Sequence, residues 1–280
     1  MPSINRSALA LLALLALAAC QTTGGGTVGT GPVALTFERA DVRIPKSMAA
    51  EYGLDLPAAY AKARATAKGG RPNLGKARLD ELAAKLPAGT KLPVVVYFHG
   101  CAGMVAASGL HLEWLEKLDG FVTIAPDSFA RARPVFCFAD HTVDISLVDE
   151  VGTMRRDEIN YAMRRVAALP WVDRNNIFLM GHSQGGGMVA GYRGAQPVRG
   201  RILINGGCNT NMGGDGMRDG EALLTFDSGQ DLWFKVYDTW CRDYVRDHGG
   251  TSVYDPKSRS HNLVLQHWPV VRKFLSQNRR

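Results

Sequence analysis

Short runs of apolar and β-branched residues recur along the chain from residue 92 onward, each bounded by Gly, Pro, Asp or Asn. Runs of this length are typical of strands that are buried on both faces. Between them, apolar residues recur at helical spacing, as at Ile159, Met163 and Val166. The pattern predicts an α/β fold, a mostly parallel sheet with helices on both faces. The predicted strands are 92–98, 121–125, 176–180, 201–205, 222–226 and 251–254, and the predicted helices are 147–169, 185–194, 231–247 and 264–276.

The segment before residue 92 has a less regular pattern. Residues Leu35 to Ile44 alternate between apolar and polar side chains, which predicts an edge strand. Residues 47–91 are rich in Ala and Lys and are interrupted by Gly69, Gly70 and Pro72. We expect peripheral helices there, although the sequence pattern of this segment is not specific to any one family.

The first twenty residues have the pattern of an export signal. Arg6 precedes an uninterrupted Ala/Leu run over 8–18, which is shorter than the roughly 20 apolar residues that a membrane helix needs. The run ends in Leu-Ala-Ala-Cys20, which resembles the bacterial lipobox, in which the Cys is lipidated and becomes the new N-terminus. The alternative is an ordinary signal peptide whose cleavage site happens to precede a Cys. We expect a signal peptide over 1–19, lipidated Cys20 and a flexible tether over 20–32, and a single domain over 33–280.

Composition limits the classes of function. The chain has 280 residues, of which 46% are hydrophobic and 21% charged, and this balance excludes intrinsic disorder. The net charge is +7, but the basic residues form no stripe interleaved with aromatic residues, so a nucleic-acid partner is not predicted. Four cysteines follow Cys20 without CxxC or HxxxH spacing, which favours disulfides in an exported protein over metal binding.

The strongest chemical signal is Gly181-His-Ser183-Gln-Gly185. It follows the predicted strand 176–180 directly and opens a Gly-rich helix, as a nucleophile elbow requires. The glycines allow a strained turn that exposes the Ser183 hydroxyl above the sheet. The alternative is a structural strand–turn–helix in which the serine is incidental.

A serine nucleophile needs a base and a carboxylate that orients the base, and after an elbow these follow in the order acid, then histidine. Asp231 follows the predicted strand 222–226, and His261 follows the strand 251–254, so both lie at carboxyl ends of strands. Asp227 is the competing acid, although it is nearer the strand end and could cap the turn through its own backbone. The competing histidines are His248, which precedes the last strand, His267 in the closing helix, and His99 and His182 within other motifs.

Two backbone N–H groups are the expected donors to an oxyanion. The loop after strand 92–98 offers Cys101 between Gly100 and Gly103, and the residue after the nucleophile is Gln184. The same topology predicts disulfides Cys101–Cys137 and Cys208–Cys241, because each pair lies in segments that follow adjacent strands. The alternative is four buried thiols.

Three stretches resemble the α/β-hydrolase superfamily, and within it the dienelactone hydrolase-like branch. They are Tyr97–Gly103, Ala125–Arg131 with Cys137 beyond it, and Val172–Gly186, and the likeness covers roughly residues 90–276. The superfamily's catalytic triad carries over onto Ser183, Asp231 and His261. In dienelactone hydrolases the nucleophile is typically Cys, whereas this chain has Ser183, so the departure favours an ordinary ester or related acyl compound.

Together these observations predict a serine hydrolase that cleaves an ester or related acyl bond through an acyl-enzyme. The expected partners are a small-molecule acyl substrate and, through the lipid anchor, the membrane of a bacterial cell envelope, facing the periplasm or the cell surface. No metal or organic cofactor is implied. One alternative is a non-catalytic envelope lipoprotein that binds a ligand or partner on a hydrolase scaffold, and another is a transferase or peptidase on that scaffold.

Overall fold

The computed structural model of the chain describes residues 32–58, 61, 74–208, 216–233 and 241–280. The expected signal peptide over 1–19, the lipidation site Cys20 and nearly all of the tether lie outside the described residues. Among the helices that the structure describes, none is long and apolar enough to cross a membrane.

The described residues form seven strands and the helices that flank them. The strands are β1 (Asp41–Arg43), β2 (Leu92–Phe98), β3 (Val122–Ala125), β4 (Val172–His182), β5 (Gly200–Ile204), β6 (Ala222–Ser228) and β7 (Thr251–Asp255). The α-helices are α1 (Pro32–Glu38), α2 (Lys46–Glu51), α3 (Leu74–Lys85), α4 (Ala106–Glu116), α5 (Val148–Ala168), α6 (Gln184–Ala190), α7 (Cys241–His248) and α8 (Trp268–Asn278). Short 3₁₀ helices lie at Ser128–Ala130, Ile145–Leu147 and Leu263–Gln266.

The strands pair into one sheet in the order β1-β3-β2-β4-β5-β6-β7. Strand β1 is antiparallel to β3, and every other pair is parallel. The register places Phe98 opposite Gly181, and Ile204 between His182 and Phe226. The carboxyl ends of β2, β4, β5 and β6 therefore lie side by side, and the α/β prediction is confirmed.

Apolar clusters cover both faces of the sheet. Alternate β2 residues such as Val94 and Val96 pack with α1, α3, α5, α6 and α7 on one face. Val95 and Tyr97 point to the other face and pack with α4 and α8. Every residue of β2 is buried, which explains why it appears in the sequence as a continuous apolar run.

The edge strand predicted over Leu35–Ile44 is wrong for most of its length. Residues Pro32–Glu38 form α1, and only Asp41–Arg43 pair as a strand. Ala34 and Phe37 are buried at helical spacing, and the Phe37 ring packs edge-on against Tyr161 of α5 at 6.5 Å between centroids. Contact with α5 thus overrides the local alternation of polar and apolar residues.

Three other segments differ from the predicted helices. Helix α4 was not predicted; its buried apolar side chains, Leu112 and Leu115, are few, and Ser108 and Gly109 weaken its helical pattern. Residues 231–233 form a turn, not the start of a helix, and the described helix of this region is α7. The predicted helix 264–276 is divided into the 3₁₀ turn Leu263–Gln266 and α8.

Helix α6 lies unusually close to the strands at the point where β4 ends. A Cβ placed on Gly185 would lie 2.1 Å from the carbonyl oxygen of Phe98, and one on Gly181 would lie 2.2 Å from the carbonyl oxygen of Gly185. Both distances are well inside van der Waals contact with backbone atoms that cannot rotate away. Only glycine at these two positions allows the approach.

Both predicted disulfides are confirmed. Cys101 and Cys137 are bonded with a Cα–Cα distance of 6.1 Å, and Cys208 and Cys241 with a distance of 5.0 Å. The first bridge joins the loop after β2 to the long loop after β3. The second joins the loop after β5 to the start of α7, so both lie toward the carboxyl edge of the sheet.

Replacement of Gly185 tests the close approach of α6. Gly185→Ala should lower the free energy of unfolding by about 3 kcal/mol or more, because backbone atoms must move to admit a methyl group. The matched control is Gly109→Ala in α4, where a Cβ meets nothing within 4 Å. That variant should be stabilised by about 0.5–1 kcal/mol, since helical alanine replaces glycine without strain. Urea unfolding measures both, and equal effects would contradict the packing argument.

Candidate active site

Ser183 lies in a strained turn between β4 and α6. Its backbone has φ 55° and ψ −122°, a left-handed conformation that costs a non-glycine residue energy. The turn is tied to the sheet, because the Ser183 N–H donates to the carbonyl oxygen of Ile204 at 2.8 Å. Gly100 lies against it, since a Cβ on Gly100 would be 3.3 Å from the Ser183 Cβ. These features are those of a nucleophile elbow, as the motif predicts.

An acid–base pair lies at the same edge of the sheet. His261 Nδ1 is 2.6 Å from Asp231 Oδ2. Asp231 is 1% exposed, and the His261 side chain is 20% exposed. The other carboxylate oxygen, Oδ1, accepts a hydrogen bond from the Trp233 N–H at 3.1 Å. With Nδ1–H donated to the carboxylate, the neutral imidazole presents Nε2 as a proton acceptor.

The competing carboxylate lies elsewhere. Asp227 belongs to β6 and is 3% exposed, and its Oδ2 has no hydrogen-bond partner among the described residues. Burial raises the pKa of Asp227 to about 7. The carboxylate that contacts His261 is that of Asp231.

The competing histidines have other surroundings. His99 Nε2 accepts the Ser128 N–H at 3.1 Å, and its Nδ1–H donates to the carbonyl oxygen of Gly100 at 2.7 Å. The ring of His267 lies 6.4 Å from that of Phe226, at the start of α8. The side chain of His248 lies outside the described residues.

His182, the residue before Ser183, supports the loop that carries His261. Its Nε2–H donates to the backbone carbonyl oxygen of His261 at 2.7 Å, and the two rings pack edge to face at 4.9 Å. Burial lowers the pKa of His182 well below its usual value, so the ring stays neutral. The sequence assigned His182 only to the elbow motif, and no local pattern indicates its contact with a loop 79 residues away.

The two expected oxyanion donors lie on either side of the elbow. Gln184 is the first residue of α6, and Cys101 follows β2. Within the described residues, neither N–H donates to a backbone carbonyl. The Cys101 loop is held at two points, by the bond to Cys137 and by Arg133 Nη2, which donates to the Cys101 carbonyl oxygen at 2.9 Å.

An apolar wall that the sequence did not predict lies beside His261. The half-buried Trp233 ring is 5.7 Å from the ring of His261 and 5.1 Å from that of His141. Trp233 packs on the cluster that contains Cys101 and Cys137. The loops that supply this wall also carry exposed apolar side chains, namely Val135, Phe138, Ile145 and Leu232. Across the part of the chain that the structure describes, no group of His, Cys, Asp and Glu residues could hold a metal ion.

The raised pKa of Asp227 predicts a pH dependence of stability. The folded protein binds the Asp227 carboxyl proton more tightly than the unfolded chain does. Protonated Asp227 therefore contributes to the free energy of unfolding at low pH, and this contribution is lost as pH rises toward 7. Between pH 5 and pH 8 the free energy of unfolding should fall by about 2–3 kcal/mol more in the wild type than in Asp227→Asn. Urea unfolding at the two pH values measures this difference. The control is Asp219→Asn at an exposed carboxylate, and an Asp227→Asn slope equal to that control would contradict the prediction.

Comparison with known proteins supports the fold. No family model and no curated protein sequence matches the chain. A dienelactone hydrolase-like promiscuous phosphotriesterase from metagenomic libraries superposes with a TM-score of 0.51 and 19% identity, over 69% of this chain and 89% of that chain. Esterase PE8 superposes with a TM-score of 0.50 and 15% identity, over 69% of this chain and 97% of that chain. The chain has the α/β-hydrolase fold, and its structural neighbours are hydrolases.

Proposed function

We propose that the protein is a serine hydrolase that cleaves an ester or related acyl bond with Ser183, Asp231 and His261 as its catalytic triad. The observation that carries the proposal is the 2.6 Å contact between His261 Nδ1 and Asp231 Oδ2, at the edge where the strained Ser183 turn ends β4. The three residues follow each other in the order that this fold uses. The hydrolases among the structural neighbours support the reaction class.

The reaction has two halves. In the first, His261 Nε2 removes the proton of Ser183 Oγ as that oxygen bonds to the acyl carbon, and the imidazolium then protonates the leaving alcohol. In the second, His261 removes a proton from water, whose oxygen attacks the acyl-enzyme, and returns the proton to Ser183 as the carboxylic acid leaves. Asp231 orients the ring and stabilises its charged form. The N–H groups of Cys101 and Gln184 bind the oxyanion, at about 3–4 kcal/mol per donor in comparable sites.

The choice between a hydrolase and a non-catalytic binder rests on the nucleophile. A binding protein on this scaffold has no need of a strained serine turn at the same sheet edge as a hydrogen-bonded His–Asp pair. An acyltransferase or a peptidase would use the same triad, and it differs from an esterase in the acceptor or the leaving group.

Substitution of the triad tests the proposal. The wild type should hydrolyse p-nitrophenyl acetate and be labelled by a fluorophosphonate, which reacts with an activated serine. Ser183→Ala should abolish labelling and lower kcat by several orders of magnitude. Asp231→Asn and His261→Ala should each lose most activity, whereas Asp227→Asn should lose less.

Circular dichroism provides the control that each variant is folded. Labelling of folded Ser183→Ala at the wild-type rate would overturn the nucleophile. A larger loss in Asp227→Asn than in Asp231→Asn would overturn the acid, and full activity in His261→Ala would overturn the base.

We further propose that the chain is exported and lipidated at Cys20, which would anchor the domain to a membrane of the bacterial envelope. The support is the Leu-Ala-Ala-Cys20 pattern, together with two disulfides of a kind that persists in oxidising compartments. Expression in a bacterium fed an alkynyl palmitate analogue should label the wild type and leave Cys20→Ala unlabelled. Equal labelling of both proteins, or of neither, would contradict lipidation at this residue.

A further inference from the structure

A buried asparagine connects the acid to the loop that carries the base. Asn205 follows β5 directly and is completely buried. Its Nδ2 donates to Asp231 Oδ2 at 2.9 Å, the same oxygen that His261 Nδ1 contacts. Nδ2 also lies 3.3 Å from the carbonyl oxygen of Ser260, and Oδ1 accepts the N–H of Leu263 at 3.2 Å. One side chain therefore contacts the acid and both flanks of the base.

The orientation of this amide follows from its neighbours. The two oxygens near Nδ2, on Asp231 and Ser260, can only accept hydrogen bonds here, and the Leu263 N–H near Oδ1 can only donate one. A rotation of the amide by 180° would place oxygen against two acceptors and NH₂ against a donor. The network thus requires Asn205 to donate to Asp231.

The backbone at this position is specialised as well. Asn205 has φ 43°, in the left-handed region, and its N–H donates to the carbonyl oxygen of Phe226 at 2.8 Å. Asparagine adopts this conformation more readily than most residues, and glycine adopts it without strain. If the position required only the turn, glycine would satisfy it; the amide is what contacts Asp231, Ser260 and Leu263.

We propose that Asn205 is a positioning residue, whose side-chain amide aligns the Asp231 carboxylate with the His261 imidazole by bridging that carboxylate to the base loop. The inference rests on the function proposed above. Asp231 is almost fully buried and is satisfied by three donors, Asn205 Nδ2, His261 Nδ1 and the Trp233 N–H. Without the Asn205 donor, the carboxylate can rotate away from the imidazole, and Ser260 and Leu263 lose their common partner. The base would then be misaligned although its chemistry is intact.

Two substitutions separate the amide from the backbone turn. Asn205→Gly keeps the left-handed conformation and removes the amide. Asn205→Asp keeps the size of the side chain but places a carboxylate against two acceptors. The matched control is Asn176→Ala in β4, away from the carboxyl end of that strand. The buried amide of Asn176 also makes three hydrogen bonds, one to Asp173 and two to the backbone of Arg280.

The first measurement is steady-state hydrolysis of p-nitrophenyl acetate. Asn205→Gly should lower kcat by about 10- to 100-fold, the range typical of residues that orient catalytic ligands. KM should change little, because Asn205 is buried beneath the acid and base. Asn205→Asp should lose at least as much, and Asn176→Ala should keep the wild-type kcat. Wild-type kcat in folded Asn205→Gly would overturn the proposal, as would an equal loss in Asn176→Ala.

The second measurement needs no substrate. The Nδ1 proton of His261, held against Asp231, should give a far-downfield proton NMR resonance that is absent from His261→Ala. The resonance should be lost or shifted in both Asn205 variants and retained in Asn176→Ala. A resonance unchanged in folded Asn205→Gly would overturn the inference.

The two measurements also separate this inference from the proposed function. A wild type that hydrolyses no ester and takes no fluorophosphonate would contradict the function, and the resonance would then decide the role of Asn205. An active wild type with unaffected Asn205 variants would contradict the positioning role alone.

Discussion

Helix α6 packs so closely on the ends of β2 and β4 that its position sets the geometry of the whole candidate site. A Cβ on Gly185 would lie 2.1 Å from the carbonyl oxygen of Phe98 at the end of β2, and the chain turns from β4 into α6 within one residue. That residue is Ser183, and its positive φ is the result. A side chain at Gly185 would push the helix outward and relax the turn. The geometry of the candidate nucleophile therefore comes from backbone packing, not from any contact that the serine side chain makes.

The second requirement is that the buried Asp231 carboxylate, at the same edge of the sheet as the serine, have hydrogen-bond donors. Burial raises the pKa of Asp227, whose Oδ2 has no hydrogen-bond partner among the described residues. Asp231 is also buried, but it accepts hydrogen bonds from Asn205, from His261 and from the backbone of Trp233. Of these two buried aspartates, four residues apart, Asp231 is therefore the one with both carboxylate oxygens hydrogen-bonded.

The loop after β2 is held by a separate set of contacts. Arg155, completely buried on α5, pairs with Glu158 at 2.7 Å and donates to the carbonyl oxygen of His99 at 2.7 Å. Burial lowers the pKa of Arg155 and raises that of Glu158. The charge of each side chain offsets part of the cost of removing the other from water. With the Cys101–Cys137 bridge and Arg133, these contacts fix the loop that carries one candidate oxyanion donor. Preorganised N–H groups of this kind stabilise charge without rearrangement.

The central sheet, the elbow and the order of the candidate catalytic residues could all be predicted from the sequence. Strands buried on both faces must be apolar throughout, and the carboxyl ends of parallel strands must meet at one edge, so β2 and β4–β6 and the residues that follow them were predictable. The same adjacency predicted both disulfides. Residues Pro32–Glu38 were not predictable, because packing against α5 decided their conformation.

The groups that hold Asp231 and His261 in place depend on contacts between distant parts of the chain. Asn205 contacts Asp231 across 26 positions and Ser260 across 55 positions of sequence, and His182 reaches the His261 carbonyl across 79. Hydrogen bonds between residues so far apart depend on strand order and register, and a single buried polar residue after a strand carries no periodic signal. Trp233 follows β6, a strand that the sequence did predict, but its contact with His261 depends on the turn at 231–233.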